Sequence, residues 1–389
     1  MKRYQTIVLG MGATGSATVY QLAKNGNRVL GIDRFSPPHA HGSSHGDTRI
    51  TRLAIGEGAQ YTPLAIRSHE IWRELERETG AELLTTNGGL VLSSKARTSR
   101  SHSDQFFANT IAAAQQHGIP HELWDARQIR RRFPQFNVAN DESGYFEPSA
   151  GFLRPEECVR VQLALAAQHG AELHRNEWVS GFDAADNGVT VTTDRDCYAA
   201  DQLIVAAGPW LSDLVGPAIS QWLKVYRQVL LWYAIEGSVT PFLPEHFPVF
   251  IWELQGKRQG VYGFPALDGA QGGLKIATEQ YDCETSPDAV ERRVSAAEIR
   301  TTFNEYVAPY VAGLRATCVK SATCLYTLAP DFGFVIDALP GAARVTVASP
   351  CSGHGFKHSA AIGEALAQRV IDGESRQDLR PFALARFGG

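Results

Sequence analysis

Ile7-Val8-Leu9-Gly10-Met11-Gly12-Ala13-Thr14-Gly15 decides how this chain folds. Residues 6–9 form a short β-branched, apolar run of the kind that fills a parallel strand buried on both faces. Gly10, Gly12 and Gly15 follow at the spacing of a pyrophosphate turn. The first permits the tight turn and the second lets backbone approach phosphate. The third lets a helix pack close to the sheet, with its N-terminus toward the anion. The pattern predicts a helix over 15–25 closed by Gly26, then a strand over 29–32 ending at Asp33. An acid in that place accepts hydrogen bonds from ribose hydroxyls. Glycines alone are weak, but the strand-turn-helix-strand-acid context predicts a dinucleotide site. On this motif FAD and NAD are not separable.

Working outward, residues 61–79 read as a helix. Thr62 is a candidate cap, Pro63 suits the first turn, Gly80 ends it, and Leu64, Ile71, Trp72 and Leu75 share one face. Residues 88–92 read as a strand, and 101–116 and 155–169 as helices. Residues 178–193 read as two strands joined at Asn187-Gly188, a favoured two-residue turn. The run 203–208 is another buried strand with a small-residue end. From Leu223 the texture changes to short strands over 225–235, 249–252, 261–264 and 273–277, separated by Pro, Gly and polar residues. A last strand over 345–348 and a helix over 359–371, closed by Gly373, complete the chain. The expected fold class is α/β (α+β overall): a Rossmann-like dinucleotide-binding domain with a second, antiparallel-sheet substrate domain. The first would be discontinuous, built from 1–85, 150–215 and 325–389. The second would take 86–149 and 216–324.

Composition narrows the function. The 389 residues are 44% hydrophobic and 20% charged, with net charge -4 and no long run of one sign, which argues against nucleic-acid or membrane-surface partners. Six cysteines, at 158, 197, 283, 318, 324 and 351, form no CxxC pair and no zinc spacing, so reduced thiols and no metal are expected. Met1-Lys2-Arg3 resembles the start of a signal peptide, but the apolar run behind it is broken by three glycines and lacks a cleavage pattern. No apolar run approaches the ~20 residues of a membrane span. A cytoplasmic location is the expectation.

Four further stretches carry candidate chemistry. His41-Gly42-Ser43-Ser44-His45-Gly46-Asp47-Thr48-Arg49, with Arg52, reads as an anion-binding loop or simply a solvated polar one. Cys324 reads by itself as a small buried hydrophobe. Lys275, in the strand-like Gly273-Leu274-Lys275-Ile276, reads by itself as solvated on an outer face. Gly353-His354-Gly355-Phe356-Lys357 precedes the final helix, where amides and helix N-terminus stabilise negative charge. A lysine at that position opposes the helix dipole, and the conflict argues for a functional role.

Taken together, Ser321-Ala322-Thr323-Cys324-Leu325-Tyr326-Thr327, Ser352-Gly353-His354-Gly355-Phe356-Lys357 and the N-terminal motif resemble the monomeric sarcosine oxidase and N-methyltryptophan oxidase family. These are covalent-FAD amine oxidases of the D-amino-acid-oxidase-like superfamily. The resemblance covers nearly the whole chain and is most specific at 40–60, 258–276 and 320–360. It implies FAD joined through the Cys324 thiol to the flavin 8α carbon, a bond that thiolate nucleophilicity makes plausible. It implies that Gly10, Gly12, Gly15, Asp33, Ser43, Ser44, Arg49, Gly353, Gly355 and Lys357 contact the cofactor. Arg52 and Lys357 would hold a substrate carboxylate, and Tyr262 would line the pocket. His45, Arg49, Tyr262, Tyr326 and Lys275 would act at the reacting end, Lys275 as the cation that stabilises superoxide forming from O2. Glu279 stands where the relatives usually carry histidine, which leaves the substrate open. The implied reaction oxidises a secondary or N-methyl amino acid to an imine, with H2O2 formed from O2, in a monomeric enzyme. A dehydrogenase with another electron acceptor, and a non-catalytic flavin-binding protein, are the alternatives.

Overall fold

The computed structural model describes residues 1–94, 98 and 104–388. Its opening strand, Lys2–Leu9, lies between two parallel neighbours, Val29–Asp33 and Cys197–Val205. That central place is why Ile7, Val8 and Leu9 are all buried. Glu172–Arg175 extends the parallel run beyond Val29–Asp33, and Ala342–Ser349 lies parallel to the upper half of Cys197–Val205. Parallel neighbours need crossover segments. The helix Ala13–Lys24 covers the sheet and packs against Pro155–Gln168 and Ser359–Asp372. The hairpin Val179–Ala185/Gly188–Thr193 adds antiparallel strands. Its last ladder pair is Ala185 with Gly188, so the turn is Asp186-Asn187, one residue earlier than the sequence pattern predicts.

The second sheet runs Glu284–Thr285, Lys224–Ile235, Leu274–Thr278, Val261–Gly263, Val249–Trp252, Gly89–Ser94, Glu142–Glu147, Glu122–Asp125. It is not wholly antiparallel: Val249–Trp252 and Gly89–Ser94 pair in parallel, because they are joined by a long stretch of chain rather than a hairpin. The strand Leu314–Leu328 pairs along nearly the whole of Lys224–Ile235. The sequence pattern does not predict it. Its first eight residues are mostly exposed, with Leu314 and Cys318 half-buried against the core, and only the last six are buried. Phe136, Phe247, Phe250 and Trp252 fill the core beneath this sheet.

A small third sheet, Arg49–Thr51, Gly151–Leu153 and Leu84–Thr86, joins the two. It leads to the helix Thr62–Thr79, which Gly80 closes in the left-handed region. Thr62 begins this helix instead of capping it, because a short 3-10 turn, Ala59–Tyr61, leads in and the Thr62 hydroxyl accepts from the Ile55 amide at 3.3 Å. The helix expected over 101–116 is seen as Phe106–Gln116; residues 101–103 lie outside the described residues. Among the described residues, no helix is long and apolar enough to cross a membrane.

Candidate active site

A cavity of about 470 Å³ runs from the glycine turn to the face of the second sheet. Gly10 and Gly12 line its first end. Gly10 has φ +86, and a Cβ there would stand 2.5 Å from the Ala206 carbonyl oxygen; a Cβ on Gly15 would meet the Gly10 carbonyl oxygen at 1.7 Å. Asp33 braces the turn, accepting from the Met11 amide at 2.7 Å and the Phe35 amide at 2.8 Å. The Ser44 hydroxyl accepts from the Ala13 amide at 3.2 Å, so the 43–49 loop is tied to the N-terminus of the first helix.

Midway along the cavity, Ser43 donates to the Leu325 carbonyl at 2.5 Å. Arg49 donates to the carbonyls of Ser43 and Thr48, both at 2.7 Å, and to Cys324 Sγ at 3.4 Å. Cys324 is buried. It shares a face of its strand with Tyr326, two residues on, and Tyr326 lines the cavity. Gly353 and Gly355 line the cavity too, in the turn that leads into the final helix, Gly353 lying beside the Tyr326 ring. His45 is buried behind the wall, its pKa pushed down to about 3 by burial and then by Arg49 and Lys275, so it is neutral.

Lys275 is not solvated on an outer face. It is 2% exposed, and its ammonium donates to the carbonyls of Gly46 (2.6 Å) and Thr48 (3.0 Å) and to the Thr48 hydroxyl (3.1 Å). Burial, and then Arg49, lower its pKa well below the usual lysine value. The aromatic rings of Phe264 and Trp232 complete its surroundings, at 4.5 and 5.2 Å.

At the far end Arg52, Lys357, Tyr262, Tyr326 and Glu279 line the cavity with Ile50, Ile251 and Phe264. Arg52 is buried over the Phe106 ring, donates to the Ala54 carbonyl and pairs with Glu57 at 2.6 Å. Lys357 donates to the His354 carbonyl at 2.9 Å and stands 3.5 Å from Glu57. Burial lowers its pKa to about 8, Glu57 opposing and Arg52 reinforcing the shift. The hydroxyls of Tyr262 and Tyr326 are 3.4 Å apart. Burial pushes Tyr262 up to about 12 and raises Tyr326 as well, so both remain protonated at neutral pH.

The structure thus brings Arg49, Arg52, Ser43, Ser44, Gly353, Gly355, Lys357, Tyr262, Tyr326 and Glu279 to one cavity wall with Gly10, Gly12 and Asp33. Gly15, His45, Lys275 and Cys324 stand behind that wall. The sequence reading missed Glu57, which bridges both cations and sits between two glycines, Gly56 and Gly58. It also missed Glu147, which accepts from the amides of Leu53 (2.7 Å) and Ala54 (3.1 Å) and fixes the loop carrying Arg52. Neither acid lies in a motif; the glycine pair around Glu57 was the only local signal.

Comparison with known proteins agrees with this geometry. The FAD dependent oxidoreductase (DAO) family matches residues 5–369. The chain belongs to that family. It is 38% identical to the monomeric sarcosine oxidase of Streptomyces avermitilis over 384 residues, covering 97% of this chain and 96% of the relative. It is 34% identical to the N-methyl-L-tryptophan oxidase of Yersinia pestis, covering 99% of each chain. Among solved structures, the open form of NikD, an unusual amino acid oxidase essential for nikkomycin biosynthesis, superposes with a TM-score of 0.84 at 22% identity, covering 98% of each chain. Glycine oxidase from Geobacillus kaustophilus gives 0.77 at 20% identity, covering all of both chains. The last two likenesses are of fold.

Proposed function

We propose that this chain is a flavin-dependent oxidase of a secondary or N-methyl amino acid. The carrying observation is the convergence of Arg52 and Lys357, from distant segments, at one end of a cavity whose other end is the glycine turn. The curated relatives are oxidases named for sarcosine and for N-methyl-L-tryptophan, which supports the same reading. The residues present fit FAD. Gly10 and Gly12 give a pyrophosphate the close backbone approach it needs, Asp33 stands at the ribose position, and Ser43, Ser44, Arg49, Gly353 and Gly355 line the route between. Cys324, held by Arg49 at 3.4 Å and on the same strand face as Tyr326, is the thiol we assign to covalent attachment. We assign cofactor binding to 1–85, 150–215 and 325–389 and substrate binding to 86–149 and 216–324, in a monomeric cytoplasmic enzyme.

Bound FAD would supply the two-electron acceptor for the C–H bond beside the substrate nitrogen, with O2 as the final acceptor and H2O2 as its product. The protein orients and polarises. Arg52 offers a planar fork to the substrate carboxylate and Lys357 a point charge. The carboxylate competes with Glu57 for both. Tyr262 and Tyr326, protonated, donate hydrogen bonds and do not act as bases. Lys275, its ammonium held against burial by the Gly46 and Thr48 carbonyls and the Thr48 hydroxyl, offers positive charge to reduced oxygen in a medium of low dielectric. The imine product hydrolyses to an aldehyde or keto acid and an amine.

A panel of N-methyl and cyclic amino acids, assayed for flavin bleaching and for peroxide, tests this reading. Bleaching with stoichiometric peroxide is expected from at least one member. Bleaching without peroxide would make the protein a dehydrogenase, and no bleaching by any member would leave only a flavin-binding protein.

A further inference from the structure

The turn that receives Lys275 is itself held from behind. Gly46 and Asp47 both lie in the left-handed region, at φ 94 and 70. A Cβ on Gly46 would stand 2.6 Å from Leu230 Cδ1, so that side chain would have to shift, and the positive φ disfavours any other residue there. Asp47 is a non-glycine residue in a conformation that L-residues resist. Successive backbone amides in a tight turn can converge on one acceptor, the arrangement of an anion-binding nest. Here the anion is a side chain of the protein. Glu156 Oε1, in the first turn of the helix Pro155–Gln168, accepts from the Gly46 amide at 2.6 Å and the Asp47 amide at 3.2 Å. On the opposite side the Gly46 and Thr48 carbonyls receive Lys275 at 2.6 and 3.0 Å. Lys320 fixes the tip by pairing with Asp47 at 2.6 Å.

We propose that Glu156 is the positioning residue for Lys275: by binding the two amides it holds the 46–48 turn in its left-handed form, so the carbonyls of that turn fix the lysine ammonium. Glu156 does not line the cavity; it holds the turn, and its charge also favours the protonated form of Lys275. The inference rests on the reading of Lys275 as the oxygen-reducing cation.

The test uses the flavin-loaded protein. Amide hydrogen exchange on the wild type should show Gly46 and Asp47 protected although they lie in a loop. Glu156→Ala should lose that protection and slow reoxidation of reduced flavin about tenfold or more, with its reduction by substrate nearly unchanged. Glu156→Gln keeps an acceptor oxygen but not the charge, and should restore protection and most of the reoxidation rate. Glu156→Asp, too short to reach both amides, stands in if the alanine variant fails to fold. Unprotected amides in the wild type would overturn the proposal. So would reoxidation within twofold of wild type in the alanine variant (or the aspartate stand-in), or equal slowing of both half-reactions. Lys275→Met is the separate control: if it leaves reoxidation unchanged, the reading of Lys275 fails, whatever Glu156 does to the turn.

Discussion

Lys357 offers a pH test of the carboxylate site with a magnitude set by its surroundings. Burial lowers its pKa from 10.5 to about 8, with Glu57 3.5 Å away offsetting part of the penalty. A shift of that size corresponds to about 3 kcal/mol between the two protonation states. A carboxylate ligand prefers the ammonium, so affinity is fully present below pH 8 and falls as pH rises through it. Going from pH 7 to pH 9 reduces the protonated fraction about tenfold, and Kd for a simple carboxylate such as propionate should rise about tenfold, or ~1.4 kcal/mol. His45 and His354, at about 3 and 4, and Tyr262, at about 12, titrate outside this window. Unfolding does not mimic the effect. The unfolded chain holds the Lys357 proton up to about 10.5 and the folded one releases it near 8, so this group makes the ligand-free protein more stable as pH rises between those values. Titrating propionate against the flavin absorbance from pH 6.5 to 9.5 provides the assay, with Lys357→Met as control. The variant should bind more weakly at pH 7 and lose the slope. A flat wild-type profile, or the same slope in the variant, refutes the assignment of Lys357 to the carboxylate.

Acid denaturation should leave flavin on the polypeptide, and Cys324→Ser should release it; free flavin from denatured wild type would remove Cys324 from the linkage. Lys275→Met should slow reoxidation far more than reduction in stopped-flow half-reactions, each tenfold loss being ~1.4 kcal/mol of transition-state stabilisation. Glu279 lines the cavity beside Tyr281, whose phenol is held well above its usual range by burial and then by that carboxylate. Glu279→His should therefore raise kcat/KM for sarcosine relative to amino acids with a cationic or donor side chain, and unchanged ratios would show that Glu279 does not set specificity.

How much was legible in the sequence depended on whether a feature was local. The glycine turn and Asp33 were legible because one contiguous segment contains strand, turn, helix and acid, and the structure keeps all four in place. The final helix and its closing Gly373 were legible for the same reason. Leu314–Leu328 was not, because its largely exposed first half carries only a weak alternation of Leu314, Ala316 and Cys318 and its pairing partner, Lys224–Ile235, lies about ninety residues earlier. Lys275 shows the same limit in a side chain. Its strand was recognisable, but nothing within that strand says that the Gly46 and Thr48 carbonyls, more than 200 residues away, will take its protons. Glu57, Glu147 and Glu156 were invisible because each acts by binding backbone or a distant cation, work that any surface glutamate has the chemistry to do.

Those buried acids also bear on the kind of ligand the far end accepts. Before a ligand arrives, Arg52 and Lys357 face Glu57, Glu279 lines the same end and Arg49 acts on Tyr262 there, so charges of both signs are already in place. A bare carboxylate shifts the net charge of this set by one negative unit, and a bare amine by one positive. Either imbalance is costly in a desolvated site. A zwitterionic amino acid adds neither. Its carboxylate, held by Arg52 and Lys357 as proposed, and its ammonium together leave the sum unchanged. On charge alone the cavity is therefore better matched to an amino acid than to a simple acid or a simple amine.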